Sequence, residues 1–247
     1  MKAFSTLLKT ELKLSFRGMD MFLFAICMPI VVIVLLGMIY GNQPAFEEAE
    51  YSFFAQSFGA VSTIAICAGG LMGLPLVLSD YREKKILKRF KVTPVSPVLL
   101  LLVQLVIYAI YSILSLLLIY IIATIFFDFQ ITGSILAFLG SYFLIMLSMF
   151  SIGIMVGGIA PNTKIAGSVA SILYFPMLVF SGATLPYEVM PEILQKIVNV
   201  LPLTQGIKLL KATTLGLPME NVTFSIVLMI SIFVLCSILS IKFFKWE

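Results

Sequence analysis

Long apolar segments constrain the fold of this chain more than any other feature. The first, "MFLFAICMPIVVIVLLGMIY" at residues 21–40, has the roughly 20 apolar residues that a helix needs to cross a bilayer. Only helices and closed barrels satisfy their backbone groups in lipid. Five further segments qualify, at about 53–78, 98–127, about 134–159, about 165–181 and 222–244. We therefore predict an all-α membrane protein with six transmembrane helices, forming a single domain over residues 1–247.

The composition indicates that lipid is the main solvent of this protein. Of its 247 residues, 61% are hydrophobic and 11% are charged, less than half the charge of an average soluble domain. The sequence has no histidine, so no imidazole is present to act as a base or metal ligand. The three cysteines, Cys27, Cys67 and Cys236, lie far apart within apolar runs. We expect them to be buried thiols, with no zinc or redox site.

Lysine and arginine are distributed unevenly between the two sides that six spans define. Thirteen of the 16 precede the first span or follow the second, fourth or sixth span. Because cytoplasmic loops are enriched in cations, we predict that these segments and both termini are cytoplasmic. Five spans would instead place the C-terminal lysines outside. The expected location is the cell membrane of a bacterium, which the chain crosses several times.

Residues 1–17 have the periodicity of a basic amphipathic helix that lies on the inner leaflet. One broad face carries Phe4, Leu7, Leu8, Leu12, Leu14 and Phe16. The opposite face carries Lys2, Lys9, Lys13 and Arg17. Glu11 projects from the apolar side, where a buried carboxylate needs a partner. Either another element supplies that partner or the side chain reaches out to water, and both alternatives stay open.

The segment "DYREKKILKRFKVTPVSP", residues 80–97, carries six cations and two acids between two apolar spans. Its pattern is helical up to Lys91. A small apolar ridge between the cations consists of Ile86, Leu87 and Phe90. Thr93 and Pro94 end the helix, because proline disfavours helix in the preceding residue. Such a helix can dock in a groove of a soluble partner. Anchoring of the membrane orientation alone explains the cations equally well.

Residues 182–221 contain no segment long enough to cross the membrane. They are half apolar and are interrupted by Pro186, Pro191, Pro202 and Pro218. The pattern predicts two short amphipathic helices, "PEILQKIVNVL" and "LTQGIKLLKATTL". Each either lies in the interface or enters the membrane and turns back.

The chain lacks the groups that would let it drive transport or catalysis by itself. It has no Gly-x-x-x-x-Gly-Lys-Ser/Thr sequence, so it has no P-loop to bind ATP. Spans two to six carry no charged residue well inside, whereas ion-coupled transporters need one. Paired carboxylates and nucleophile–base pairs are also missing from these spans, so we do not expect an enzyme.

Two stretches resemble the permease subunits of type-2 ABC transporters, which include drug-resistance and polysaccharide-export permeases. "REKKILKRFKVTPVS" is similar to the family's segment after the second span, where an Arg-Glu pair precedes a short helix ending in Thr/Ser-Pro. One departure is that many members have Gly-Thr where Lys85 and Ile86 stand. The stretch "FPMLVFSGATLPYEVMPEILQKIVNVLPLT" is similar to the signature after the fifth span. Its matching residues are Phe180, Ser181, Gly182, Pro186, Met190, Pro191, Pro202 and Thr204.

The resemblance implies an assembly of two permeases, identical or different, with two separate ABC ATP-binding subunits. ATP and magnesium would bind those subunits, no cofactor would bind this chain, and no nucleic acid is expected. Residues 80–91 would form a coupling helix in the ATPase groove. The coupling residues would be Arg82, Glu83, Lys84, Ile86, Leu87, Lys88, Arg89, Phe90, Thr93 and Pro94. Residues 1–17 would be the interfacial helix, with Glu11, Lys13 and Arg17, and residues 182–205 would be broken re-entrant helices.

The expected function is export of a hydrophobic or amphipathic substrate, such as a drug, a lipid-like molecule or a peptide. We expect the second and fifth spans to line the path, since their small residues permit close helix contact and sliding. Multidrug resistance is one biological outcome of such export. Two alternatives stay open: an ion-coupled secondary transporter, and a regulatory or immunity subunit that transports nothing.

Overall fold

The computed structural model describes residues 2–41, 43–45, 51–90, 96–181, 190–218 and 222–244. Within these ranges the protein is helical, and no β-strand forms. The helices are Lys2–Gly18, Asp20–Phe22, Met28–Tyr40, Phe53–Cys67, Leu74–Glu83, Ile86–Phe90, Pro97–Phe127, Ile135–Ile159, Thr163–Phe180, Glu192–Val198, Pro202–Leu215 and Val222–Phe243, with π-helical segments Leu23–Cys27 and Ala68–Gly73. Four predicted site residues, Thr93, Pro94, Gly182 and Pro186, lie outside the described residues, as does the side chain of Phe90.

Six helical stretches are long and apolar enough to cross a membrane, which confirms the predicted all-α fold with six spans. We number them spans 1 to 6: Leu23–Tyr40, Phe53–Glu83, Val98–Phe127, Ile135–Ile159, Thr163–Phe180 and Val222–Phe243. Span 2 continues five residues beyond its predicted end at 78 and therefore includes Arg82 and Glu83.

Two of the spans contain a π-helical segment next to a proline. In span 1 the N–H of Met28 donates to the carbonyl of Leu23, five residues back, and Pro29 follows. In span 2 the N–H of Leu74 donates to the carbonyl of Gly69, and Pro75 follows. Proline has no N–H and crowds the preceding turn, and a wider turn accommodates it.

Span 2 lies at the centre of the bundle and packs closely against span 4 through glycines. A side chain on Gly153 would overlap the carbonyl of Gly70, and one on Gly157 would press on Pro75 and Leu78. Small residues spaced in this way let two helices approach to backbone contact in a membrane. The core of the protein therefore forms around these two spans.

The N-terminal helix, Lys2–Gly18, packs with only part of its apolar face. Its half-buried core-packing residues are Phe4, Leu7, Leu8 and Leu12. Leu14 and Phe16 are 54% and 44% exposed, so the bundle covers the middle of the predicted apolar face and leaves its two edges uncovered. Both lie at the edges of the apolar arc, and the contact between two helices covers only a narrow stripe at its middle.

The two short helices after span 5 take different positions. Glu192–Val198, the surface helix, exposes Ile193 and Ile197. Pro202–Leu215, the inserted helix, is largely buried and packs against spans 2, 4 and 6. Its 14 residues extend about 21 Å, too short to cross a bilayer. One short helix therefore lies at the surface and the other enters the bundle.

Candidate functional site

One end of the bundle collects the ends of several spans and most of the described cations. There the end of span 2 contacts the end of span 4, the start of span 5 and Phe244 after span 6. We call this the basic end. Its described cations are Lys9, Lys13, Arg17, Arg82, Lys84, Lys85, Lys88, Arg89, Lys164 and Lys242.

Arg82 is buried inside this chain, with only 6% of its surface exposed. Its guanidinium donates hydrogen bonds to the carbonyls of Gly157 (3.0 Å), Gly158 (2.8 Å) and Ala160. These carbonyls lie at the C-terminal end of span 4, where a helix leaves its last carbonyls without intrahelical partners. A cation at this end is also stabilised by the helix dipole. Arg82 therefore binds span 4 rather than presenting its charge on the surface.

Glu83 binds the neighbouring helix end. Its carboxylate accepts hydrogen bonds from the backbone N–H (3.1 Å) and hydroxyl (2.7 Å) of Thr163, at the start of span 5. The side chain of Asn162 caps the same helix by accepting from the N–H of Ile165 at 2.9 Å. Negative charge is favoured at a helix N-terminus. Arg82 thus binds the C-terminal end of span 4, and Glu83 binds the N-terminal end of span 5. Together they fix span 2 to the turn between spans 4 and 5.

The prediction of one continuous helix over residues 80–91 was wrong. The helix of span 2 ends at Glu83, and Lys84 and Lys85 form a turn before the short helix Ile86–Phe90. Lys85 has a φ of 58°, a left-handed conformation that glycine adopts without steric cost and other residues adopt rarely. The helix breaks here because a left-handed residue cannot continue a right-handed helix.

Of the predicted apolar ridge, the two residues whose side chains the structure describes do not form a free surface. Leu87 is fully buried against the protein, and Ile86 is half-buried. Burial of the apolar Leu87 side chain on the inner face of the short helix removes it from water. The exposed residues of this segment are Glu83, Lys84, Lys85, Lys88 and Arg89. We call the four cations among them, Lys84, Lys85, Lys88 and Arg89, the cationic loop surface.

The comparison with known families decides the class of this bundle. The family model described as "ABC-2 type transporter" matches residues 2–215. The chain belongs to the ABC-2 type transporter family. With its six apolar helices, it is a multi-pass membrane permease of that family.

Two curated proteins are similar to part of this ABC-2 permease. Nodulation protein J of Neorhizobium galegae is 34% identical over 77 residues, which cover 31% of this chain and 29% of the relative. Nodulation protein J of Rhizobium leguminosarum bv. viciae is 37% identical over 76 residues, again 31% of this chain and 29% of the relative. The aligned part thus spans less than a third of each relative's length.

Glu11 of the ABC-2 permease has partners within the protein. Of the two alternatives for this carboxylate, a partner from another element and exposure to water, the structure shows the first. Its carboxylate accepts a hydrogen bond from the hydroxyl of Tyr81 and one from the amide of Gln104 at 2.9 Å. The Gln104 amide also lies 2.7 Å from the Tyr81 hydroxyl. Sequence reasoning missed Tyr81 and Gln104. The signal was available for Gln104, the one amide within the apolar run of span 3.

At the opposite end of the ABC-2 permease, six of the predicted signature residues lie in the described part of the chain. Ser181, Met190, Pro202 and Thr204 are buried, Phe180 is half-buried and Pro191 is exposed. Just beyond, the amide of Gln205 donates to the side chain of Asn199 at 2.7 Å and its carbonyl accepts from Ser225 at 2.7 Å. This polar cluster holds the inserted helix against the start of span 6.

The small residues of span 2 pack against neighbouring helices of the permease: Gly59 faces Leu210, and Gly73 faces Tyr108. The described part of the bundle also contains an apolar groove of about 610 Å³ between spans 3, 4 and 6. The role of spans 2 and 5 in lining a path stays a prediction.

Proposed function

We propose that this permease is the membrane subunit of an ATP-driven exporter and that a separate ABC ATP-binding subunit docks on the cationic loop surface. The basic end would face the cytoplasm, since cytoplasmic loops carry the excess of lysine and arginine. Family membership supports the partner's class. ATP and magnesium would bind that partner, and we assign no cofactor to this chain.

The observation that carries this proposal is that neighbouring charged residues differ in what they contact: two bind the ends of neighbouring helices, and four cations are exposed. Arg82 and Glu83 bind the ends of spans 4 and 5, whereas Lys84, Lys85, Lys88 and Arg89 are exposed, Lys84 with an ion pair to Asp80 at 2.9 Å. A force applied to the exposed cations reaches the span 4–span 5 turn through two hydrogen-bonded side chains. Domain closure of the ATP-binding subunits would thereby shift the bundle between two packed states.

The proposed substrate is hydrophobic or amphipathic, as expected for a drug, a lipid-like molecule or a peptide, and it moves outward. The charged residues of spans 2 to 6 lie only at their ends, so the spans offer no ionic group to bind a charged solute. Export, and drug resistance as a possible consequence, rest on the likeness to exporter permeases.

The proposed assembly contains two copies of this chain and two ATP-binding subunits in a bacterial cell membrane. Spans 5 and 6 are equally little buried by the described part of this chain, and we choose span 5 as the contact with the second copy. In its most apolar stretch only 17% of the residues are buried by this chain, and Ile172 and Phe175 are 70% and 55% exposed. We propose that this face contacts the second permease.

A charge-reversal experiment tests the docking surface. The test variant combines Lys84→Glu, Lys88→Glu and Arg89→Glu, and the matched control combines Lys9→Glu, Lys13→Glu and Arg17→Glu, which are exposed at the same end. We expect the test variant to insert normally but to recover about a tenth or less of the ATP-binding subunit from native membranes, since close charge pairs contribute strongly to association. The control should recover it at nearly the wild-type level. Wild-type recovery by the test variant would contradict the proposal.

A further inference from the structure

Glu11, Tyr81 and Gln104 form a polar cluster between three elements at the basic end. Glu11 belongs to the N-terminal helix, Tyr81 to span 2 and Gln104 to span 3. One carboxylate oxygen of Glu11 accepts from both other side chains. Gln104 is 4% exposed, and within the described part of the chain no lysine or arginine forms an ion pair with Glu11.

The positions of the two donors connect this cluster to the cationic loop surface. Tyr81 lies one helical turn before the break at Lys84 and Lys85, and Gln104 lies two turns into the helix that begins at Pro97. The donors therefore belong to the two spans that enter and leave the segment carrying the exposed cations. An additional contact joins the hydroxyls of Ser15 and Tyr111 at 2.9 Å, but it reaches span 3 only.

A carboxylate is an expensive way to attach an amphipathic helix. Half-burying a charge costs hydration, which the hydrogen bonds from its partners must offset. Its neighbours Leu7, Leu8 and Leu12 already supply apolar contact with the core. The charge adds geometric specificity, since two donors from two different helices must converge on one oxygen.

We infer that Glu11 is a positioning residue that fixes the N-terminal helix to the bases of spans 2 and 3, so that this helix moves with the cationic loop surface during the transport cycle. This inference rests on the proposed function, because the moving force comes from the ATP-binding subunit. Tyr81 connects Glu11 to the end of span 2, where the cationic loop surface begins. Gln104 hydrogen-bonds to both Glu11 and Tyr81 and holds them in place.

Attachment of the helix is tested by thiol labelling of the purified permease in lipid nanodiscs. The native cysteines are replaced by alanine, and Leu12→Cys, half-buried against the core, reports the docked helix. We expect a maleimide to label this position at least about tenfold faster when Glu11→Leu is added, since one lost charge-assisted hydrogen bond corresponds to about tenfold and this variant loses two. Tyr81→Phe, which keeps the ring, should raise the rate less. Labelling of Lys13→Cys, already exposed, should not change.

Movement with the loop is tested by the same reporter in the complex with the ATP-binding subunit, with and without ATP and vanadate. In the otherwise unaltered permease the labelling rate at Leu12→Cys should be independent of nucleotide, because helix and loop move together. With Tyr81→Phe the rate should rise when nucleotide is added. Ser15→Ala, which removes a bond to span 3 but none to span 2, should leave the rate independent of nucleotide.

Two results would overturn the inference. One is unchanged labelling in both Glu11→Leu and Tyr81→Phe, which would mean that the cluster does not hold the helix. The other is a labelling rate in Tyr81→Phe that is the same with and without nucleotide, or a nucleotide-dependent rise in Ser15→Ala as large as that in Tyr81→Phe. Either outcome would mean that Glu11 attaches the helix without coupling it to the cationic loop surface. Failure of the proposed function has a different signature, since the wild-type permease would then not recover the ATP-binding subunit at all.

Discussion

Spans 2 and 5 are both rich in small residues, yet the rest of the chain buries span 2 and leaves most of span 5 exposed. In the most apolar stretch of span 2, 83% of the residues are buried, whereas span 5 reaches only 17%. Span 2 is covered because Gly153 and Gly157 of span 4 allow its backbone to approach. Span 5 buries Ala166 and Ala170 but turns Ile172 and Phe175 outward. Small residues alone therefore do not identify which span is central.

The difference separates two roles within one bundle. Span 2 is the internal axis to which Arg82 and Glu83 attach the ends of spans 4 and 5. Span 5 is a peripheral helix in this chain, and its exposed face belongs to lipid or, as we propose, to the second permease. Four variants break or sharpen this comparison.

The largest effect is expected where span 2 meets span 4. Gly153→Leu would place a side chain onto the carbonyl of Gly70, and overpacking at a backbone contact should cost about 3 kcal/mol or more. The yield of folded permease, measured by size-exclusion chromatography in detergent, should fall sharply. Gly140→Leu in the same span is the control, because nothing lies within 4 Å of the added carbon. Equal yields of the two variants would show that the spans do not pack as described.

A smaller loss of stability is expected at the basic end. Arg82→Gln removes the charge that binds the carbonyls of Gly157, Gly158 and Ala160, at a cost of about 2 kcal/mol. Arg89→Gln, at an exposed position, should change unfolding by less than about 0.5 kcal/mol. Thermal unfolding compares the two variants. Binding of the ATP-binding subunit should respond to Arg89→Gln instead, and a reversed order of effects would argue against the assigned roles.

The exposed face of span 5 can be distinguished from an ordinary lipid-facing surface. Ile172→Ala with Phe175→Ala should weaken self-association in vesicles by about 1–2 kcal/mol, measured by energy transfer between labelled copies. The control, Val227→Ala with Phe224→Ala, changes equally exposed residues of span 6, which are 56% and 51% exposed. Equal behaviour of the two pairs would place lipid, rather than a second copy, on span 5.

The smallest effect, and a stabilising one, is expected at the break after span 2. Lys85→Gly relieves the left-handed φ of 58° and should stabilise the permease by up to about 1 kcal/mol. Lys84→Gly is the control, because Lys84 has an ordinary φ of −79° and gains no such relief. Thermal unfolding measures both, and stabilisation by Lys84→Gly alone would contradict the described turn.

Much of the fold follows from the length of the apolar runs. All six spans were predictable because a helix that crosses a bilayer needs about 20 apolar residues, and the two short helices were predictable because prolines bound them. The glycines of span 4 carried an unused signal, since Gly153 and Gly157 have the spacing of close membrane packing.

The site was predicted less well, for a physical reason. Periodicity assigns residues to the faces of a continuous helix, but Lys85 breaks the helix and turns Leu87 inward. The charge of a side chain also does not show whether it points into the protein or out to solvent. Arg82 and Lys84 read alike in the sequence, and only the free carbonyls at the end of span 4 determine that Arg82 points into the protein.

The central claim is that energy enters this permease from a separate ATP-binding subunit at its basic end. The direct measurement is uphill export of substrate in sealed vesicles that contain the permease alone or together with that subunit and ATP. We predict uphill transport only when both proteins and ATP are present, unaffected by collapse of ion gradients. Uphill transport by the permease alone, or transport that stops when the ion gradient collapses, would contradict the account.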